Sequence, residues 1–457
     1  MKHSGNNRPD HLLRSSEEEL LDGSLGPLIV FWVVLFALSA LGWGLPVAEG
    51  KLAVAGKLMT EMEAPVEGAM VYIRGGVVEE SVTPGDGTYY FSDLHQGMGY
   101  TVEPWLDEYH ANGVTTADLI AIRKHILGVA PLDSPYKLLA ADVTLSGGVS
   151  TMDLIQIRKL ILAIDKEFEK VESWEFIPEG YVFPDPERPW EAMYPRTVSI
   201  SSLEDSEMHA NFVAIKMGDV NGTARPSNPN AAPPSFRHEL AFNIENKALY
   251  PGEIYELSFD PISARVEAFQ FTLQYMKNAV EVEEILYGQL GSEHLATFPE
   301  EGMITTSWDK YSARAEGGLL FGLRIKALKN IQLKDALEIN SRLTPAEAYL
   351  EDQQAVGLGL QFEETSAAAS PEFLLLQNHP NPFRQRTLIG FNLPEADWAE
   401  LQVYDTNGRL VMSKRNYYER GFHTIQIDRA ELGHPNWYYY RLKTKNQTAA
   451  RKMLLHE

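Results

Sequence analysis

NGVTTADLIAIRKHILG, Asn112 to Gly128, and GGVSTMDLIQIRKLILA, Gly147 to Ala163, are near copies of one another. Aligned on Asp118 and Asp153, they keep Val, Thr, Asp-Leu-Ile, Ile-Arg-Lys and Ile-Leu at equal offsets without a gap. Agreement over so many positions marks an internal duplication. Each copy predicts a helix opening at Thr116 or Thr151, just ahead of the acidic residue. Leu119, Ile122 and Ile126, and likewise Leu154, Ile157 and Ile161, recur at i, i+3, i+7 and form one apolar face. Arg123, Lys124, Arg158 and Lys159 fall on the other side.

A turn rich in oxygen ligands precedes the second helix. Counted as a twelve-position calcium loop, it places Asp142 at 1, Thr144 at 3, Ser146 at 5 and Gly147 at the sharp turn. The Gly148 carbonyl then stands at 7 and Asp153 at 12. Calcium takes oxygen ligands arranged in this way round a tight turn. A bare helix cap explains the same residues equally well. Before the first helix, Asp107 and Asp118 fit positions 1 and 12, but Tyr109 and Ala111 offer neither carboxylate nor amide. Gly218-Asp-Val-Asn-Gly-Thr223 looks like the missing start of that loop. If Asp219, Asn221 and Thr223 fold back beside Asn112 to Asp118, they complete a split site. The alternative is a simple Asp-Val-Asn-Gly turn.

Over Asp107 to about Ile164 the paired loop-and-helix spacing resembles the dockerin family, calcium-binding repeats that dock on cohesin domains. Thr144 and Ser146 stand where the family usually carries Asn or Asp, and fewer charged ligands imply weaker calcium binding. The resemblance implies partner contacts at Thr116, Ala117, Arg123 and Lys124, and at Thr151, Met152, Arg158 and Lys159. A solvated helix face is the competing explanation for the Arg and Lys positions.

At 457 residues and 51.3 kDa the chain exceeds one core and divides into several domains. A net charge of −23 argues against a nucleic-acid partner, which needs clustered Lys and Arg. It suits a soluble surface protein. With no cysteine, disulfides and thiol chemistry are excluded. Residues 1–26 form a polar tail. Residues 27–46 hold an uncharged apolar run long enough to cross a bilayer, expected as an export signal or membrane anchor. The acidic Glu17 to Glu19 ahead of it leave its orientation open.

Residues 51–105 alternate as short strands with turns at Pro84-Gly-Asp-Gly87 and Gly97-Met-Gly99. Their order resembles carboxypeptidase-regulatory-like, prealbumin-type β-sandwiches, which implies a non-catalytic spacer. Residues 106–224 carry the repeats and a β-hairpin extension, in which Trp174-Glu-Phe-Ile177 and Tyr181-Val-Phe183 are the expected strands. Trp174, Tyr181, Trp190 and Tyr194 either stack on sugar rings or, more commonly for such residues, close a small core. Residues 225–235, rich in Pro, Ala and Asn, are a linker. Residues 236–364 predict a second sandwich, from alternating runs such as Phe269-Gln-Phe-Thr-Leu273. Its pattern resembles cohesin-like and carbohydrate-binding sandwiches, and a plain spacer fits as well. If the cohesin resemblance holds, one chain carries both halves of a docking pair, and intramolecular or head-to-tail pairing follows.

After a second linker, residues 371–457 read as strands broken by Pro380-Asn-Pro382 and Asp405-Thr-Asn-Gly408. The set Gln377-Asn-His-Pro-Asn-Pro-Phe383, Leu401-Gln-Val-Tyr-Asp405 and Trp437-Tyr-Tyr-Tyr-Arg441 resembles the C-terminal sorting domain of type IX secretion. This implies passage across an outer membrane by the type IX machinery, then release or surface attachment. His434-Pro-Asn436 departs from the family, which usually keeps a Gly before the aromatic run.

The fold class expected is multidomain and mainly β, three sandwich-like modules with one small helix pair. No His-Glu-x-x-His, Gly-x-Ser-x-Gly or phosphate-binding glycine loop occurs, so the chain is not expected to be an enzyme. The expected function is an exported adhesion or scaffolding protein. Its calcium-binding helix pair engages a cohesin-like domain. Polysaccharide binding in carbohydrate breakdown, and a cryptic glycoside hydrolase, are the alternatives.

Overall fold

The computed structural model describes residues 51–227, 238–262, 265–312, 318–351, 354–364, 373–434 and 436–456. The polar tail, the apolar run 27–46 and most of both linkers lie outside the described residues. Among those described, no helix is long and apolar enough to cross a membrane.

The chain is mainly β in several separate sheets, as the alternating runs predict. The first sandwich opens with β1 (Leu52–Thr60), β2 (Met70–Gly75), β3 (Val78–Val82), β4 (Thr88–Leu94) and β5 (Tyr100–Trp105). Period-two patterning turns Val71, Ile73, Tyr100 and Val102 inward. The Pro84–Gly87 turn closes as expected. Gly87 N–H donates to the Pro84 carbonyl, and a Cβ on Gly87 would sit 2.6 Å from the Leu58 carbonyl oxygen.

The helices follow: α1 (Thr116–Ile126), α2 (Pro135–Ala141) and α3 (Thr151–Ile161). The first and third are the predicted repeat helices. Leu119, Ile122, Leu154, Ile157 and Ile161 are buried together, and Ile126 packs at the edge. The second helix was not anticipated. Ser134 caps it by accepting from Tyr136 N–H at 3.1 Å, and Pro135 opens it at the first helical position.

Next come β6 (Trp174–Pro178), β7 (Val198–Ile200) and β8 (Phe212–Lys216). These redraw the expected boundary at residue 105. One sheet runs β4-β1-β8-β6 and the other β3-β2-β5-β7, so both need strands from beyond the helices. Trp174, Phe176, Phe212 and Ala214 complete the core begun by Val54, Leu58, Val71 and Phe91. The helix pair is therefore an insertion into the first sandwich. The expected hairpin is also corrected: β6 pairs with β8, not with Tyr181-Val-Phe183. Tyr181 and Phe183 instead join Tyr136 and Tyr194 in an edge-on aromatic cluster, and Trp174 is buried in the sandwich core. Tyr181 and Tyr194 are half-buried against that core, and Trp190 is half-buried beside Gly147 and Gly148.

The second sandwich comprises β9 (His238–Asn246), β10 (Ala248–Leu249), β11 (Ile254–Phe259), β12 (Val266–Tyr275), β13 (Val280–Tyr287) and β14 (Leu295–Phe298). It continues through β15 (Met303–Asp309), β16 (Phe321–Ala327), β17 (Ile331–Gln332), β18 (Leu337–Asn340), β19 (Glu347–Leu350) and β20 (Ala355–Glu364). Its large sheet runs β14-β15-β12-β19-β20-β9, with β18 also on β12, and β11-β16-β13 forms a smaller sheet. Phe242, Phe259, Phe269, Phe271 and Phe321 fill the space between them. An antiparallel sheet usually leaves one face in water. Here β15 is buried at every residue and β12 at all but one. Something therefore covers their outer face.

The third sandwich is built from β21 (Leu374–Leu375), β22 (Arg386–Leu393), β23 (Asp397–Tyr404), β24 (Leu410–Tyr418), β25 (Gly421–Asp428), α4 (Arg429–Leu432), β26 (Trp437–Lys443) and β27 (Thr448–Leu454). Its sheets are β21-β22-β25 and β24-β23-β26-β27. The expected hairpin turn forms at Asp405–Gly408. Asp405 accepts from Asn407 and Arg409 N–H at 2.9 Å each, and Gly408 takes φ +78°.

Candidate functional site

The two acidic loops come out as equivalent structures made in different ways. In the continuous loop, Asp142 accepts N–H bonds from Ser146, Gly147 and Gly148 at 2.8, 2.9 and 3.3 Å. Asp153 accepts from Thr144 N–H and hydroxyl at 3.0 and 2.7 Å, and from Ser150 N–H and hydroxyl at 2.9 and 2.8 Å. Ser146 Oγ donates to the Gly148 carbonyl at 2.9 Å.

The same bonds recur in the other loop, across a gap of a hundred residues. Asp219 accepts from Gly222, Thr223 and Ala224 N–H at 2.8, 3.2 and 2.8 Å. Asp118 accepts from Val220 and Asn221 N–H at 2.9 and 3.2 Å, and from Thr115 N–H and hydroxyl at 2.9 and 3.1 Å. Thr223 Oγ1 donates to the Gly113 carbonyl at 3.0 Å, matching Ser146 on Gly148. Residues 219–224 thus supply positions 1 to 6 and residues 113–118 supply 7 to 12. At the junction a Cβ on Gly113, φ +78°, would lie 2.4 Å from Ala224 N. Asn112 and Arg225 close it further, Asn112 Oδ1 accepting from Arg225 N–H at 3.1 Å and Nδ2 donating to the Arg225 carbonyl at 3.3 Å. The split arrangement expected from Asp219, Asn221 and Thr223 is what the structure contains. Asp107 is not part of it, since it accepts from Ser173 N–H at 2.7 Å.

Electrostatics in the split loop are severe. Asp118 is fully buried and Asp219 nearly so. Burial first, and then the Asp219 charge, push the Asp118 carboxyl well above the usual range, and burial also raises Asp219. Lys216 is buried alongside, its ammonium donating to the His110 carbonyl at 2.6 Å. Burial pulls Lys216 down to about 7, against the opposing pull of Asp219 and Asp118. Among the described residues, no group of three or more acidic or histidine side chains gathers round one point. Each loop offers two carboxylates together with hydroxyl or amide oxygens and one carbonyl. That all-oxygen donor set suits calcium in kind and is low in charge. In the split loop a cation would also relieve two like charges buried together.

The second part of the site is what covers β12 and β15. The first repeat helix lies on them. Thr116 N–H and Oγ1 both donate to Gln270 Oε1, at 2.7 and 2.8 Å, and Thr116 Oγ1 lies 2.8 Å from Ser307 Oγ. Ile120 packs with Ala268 and Tyr349, flanked by Ala117. Arg123 Nε sits 3.2 Å from Asp309 Oδ1, and Arg158, from the other repeat helix, reaches Oδ2 at 2.5 Å. Asp309 is wholly buried. Lys124 pairs with Glu267 at 3.0 Å. At the far end, Thr305 and Thr344 hydroxyls donate to the Leu162 and Ile161 carbonyls, at 2.6 and 2.7 Å, satisfying groups that a helix C-terminus leaves free.

The eight contact positions inferred from sequence therefore divide. Thr116, Ala117, Arg123, Lys124 and Arg158 meet the chain's own second sandwich. Thr151 and Met152 face solvent, and Lys159 lies 3.7 Å from Asp165 of its own module. Of the eight positions expected to contact a partner, Thr151, Met152 and Lys159 make no contact with the second sandwich among the described residues, while the first helix is covered from within the chain. Ile120 was not singled out in the sequence, since an apolar residue beside the core stripe looks like core. Gln270, Ser307 and Asp309 carried only the alternation of a strand.

Comparison with known proteins adds to this geometry. Residues 378–456 match the family model described as the secretion system C-terminal sorting domain. The third sandwich is a sorting domain. It marks the chain as exported cargo, secreted or held at the outer surface. No curated protein matches the chain. Among solved structures, a type I cohesin–dockerin complex from Clostridium thermocellum is 16% identical, covering 29% of this chain and 94% of that one at a TM-score of 0.21. The major pilin subunit BcpA of Bacillus cereus is 9% identical, covering 89% and 96% at 0.20. Latent PorU from Porphyromonas gingivalis is 9% identical, covering 89% and 32% at 0.17. At these TM-scores none of the three likenesses bears on what the chain does ahead of its sorting domain.

Proposed function

We propose that the protein is an exported, non-catalytic surface protein carrying a dockerin-like helix pair and a cohesin-like receptor sandwich, docked on each other within one chain. The observation that carries this is the wholly buried Asp309, held by one arginine from each repeat helix. Two charges of one sign converging on one carboxylate are unfavourable to bury unless the geometry is well made. Around this clamp, Thr116 against Gln270 and Ser307 fixes the register, and Ile120 supplies apolar contact. Dissociated, the same sandwich face would expose a polar row ready for another helix pair. This supports a scaffolding or adhesion role regulated by self-docking.

Calcium belongs to this reading as the ion that sets the two loops and so aligns both arginines. Asp219, Asn221, Thr223, the Gly113 carbonyl and Asp118 would hold it in the split loop. Asp142, Thr144, Ser146, the Gly148 carbonyl and Asp153 would hold it in the continuous one. With only two carboxylates each, affinity falls toward the weak, extracellular end.

The test is to place a protease site within residues 228–235 of the full chain and cut it after folding. Co-elution of the two halves in size-exclusion chromatography, lost in Asp309→Ala, supports docking. Halves that separate without any substitution refute it. A polysaccharide turnover assay on the intact chain, expected to be blank, tests the non-catalytic part.

A further inference from the structure

The sorting domain differs in charge from everything before it. Residues 378–456 hold twelve Lys and Arg against seven Asp and Glu, whereas the whole chain holds 40 against 63. The outer face of its sheet β24-β23-β26-β27 gathers part of that charge among aromatic rings. Along β26, Tyr438, Tyr440 and Leu442 point into the core, so Trp437, Tyr439, Arg441 and Lys443 point out. On β23 and β24 the paired residues Trp398 and Tyr417 point the same way, with Glu400 and Arg415 as the next outward pair.

Four of these rings keep two-fifths to a half of their surface in water: Trp398 51%, Tyr417 49%, Tyr439 48% and Trp437 41%. Lone exposed aromatics need no explanation, but four on one flat face do. Each tryptophan has a cation over it: Lys452 Nζ lies 3.8 Å from the Trp437 ring centre and the Arg415 guanidinium 5.2 Å from that of Trp398. The rings form two groups. Trp398 with Tyr417 stands at one end, and Tyr439 with Trp437 near Tyr404 at the other. Six residues of strand, about 20 Å at strand rise, separate Trp398 from Tyr404. Between the groups lie Arg415 and Arg441 with a single outward carboxylate, Glu400.

We propose that this face binds an anionic polysaccharide laid along the strands, its sugar rings resting on the aromatic group at each end and its acid groups meeting the basic middle. An extended, negatively charged chain is what two exposed aromatic groups separated by arginines complement, the pair Trp398 and Tyr417 meeting edge-on with ring centres 5.8 Å apart. A protein partner would call for a continuous apolar centre, which the charged middle interrupts. The acidic bulk of the molecule repels the same ligand elsewhere, so binding is confined to this face.

The experiment uses the full chain with polygalacturonate and dextran sulfate as probes and uncharged dextran as control, by calorimetry at two salt concentrations. Binding is expected for the charged probes and not for dextran. Trp398→Ala and Trp437→Ala should each weaken it about tenfold with unchanged melting temperature. Arg415→Gln should weaken it and lessen its salt dependence. No binding to either charged probe overturns the proposal. So does binding that survives both tryptophan substitutions, which would mark simple charge attraction. Self-association of the chain through this face, displaced by the probes, would assign the surface to a second copy and overturn it as well.

Discussion

The two repeats began as one sequence and now do different work. The second keeps its loop on one continuous stretch, Asp142 to Asp153, and leaves Thr151 and Met152 in water. The first has its loop cut in two and closed by residues from beyond the next three strands. Its helix is pressed onto another module through Thr116, Ile120 and Arg123. Eleven-residue helices of nearly equal composition therefore have fates set by what surrounds them. A duplicated motif fixes local geometry, while the surroundings of each copy decide which of its residues meet the second sandwich.

The largest effect expected is at the one residue both copies share. Asp309→Ala leaves Arg123 and Arg158 without their carboxylate in a buried place and should cost about 3–5 kcal/mol of docking. Chemical denaturation checks it, with loss of a coupled transition as the sign. Next, Asp219→Ala removes the acceptor for three backbone N–H groups in the split loop, a loss of about 1–3 kcal/mol. Asp142→Ala strips the equivalent bonds from the continuous loop, which has no buried lysine to leave without its neighbouring charge, so the smaller drop in melting temperature is expected there. Equal drops would erase the contrast between the loops. Calcium sharpens it further. Added calcium should raise the melting temperature, chelator should reverse the gain, and Asp219→Ala should remove most of it.

The pH dependence separates the loops too, because only the split one has a buried lysine. Lys216 titrates near 7 in the folded chain, while an unfolded lysine holds its proton to about 10.4. Between these values the unfolded state carries the extra proton, so stability rises with pH across that window and the burial penalty is full below it. Melting temperatures of wild type and Lys216→Met between pH 7 and 10 should converge as pH rises. A constant difference speaks against it. The smallest effect belongs to the open copy: Thr151→Ala and Met152→Ala should each stay within about 0.5 kcal/mol.

What could be read in the sequence followed the range of the interactions. Helix starts at Thr116 and Thr151 were legible because a cap and an i, i+3, i+7 stripe are local. The split loop was legible because Asp219-Val-Asn-Gly222 repeats the form of a loop start. The strand at Trp174 was visible, but its pairing with Phe212–Lys216 was not, since period-two patterning carries no partner information. Pro135–Ala141 is only seven residues long, and too few apolar positions fell within it to show a period. Docking was the least legible of all. Arg123 and Arg158 look alike whether they meet water or Asp309, and the acid that selects them lies 186 and 151 residues further on.

The closure of Gly113 on Ala224 has a consequence for how the chain bears load. The helical insertion leaves the first sandwich after Trp105 and rejoins it at Trp174, and the Asn112–Arg225 pair ties its entry to the chain that runs on from the last strand, β8. A pull transmitted from the downstream sandwiches reaches that stitch through Arg225 and reaches both helices through Asp309. Tension along the chain is therefore shared between that stitch and the buried Asp309 clamp, which makes the inserted helices a strut between two sandwiches.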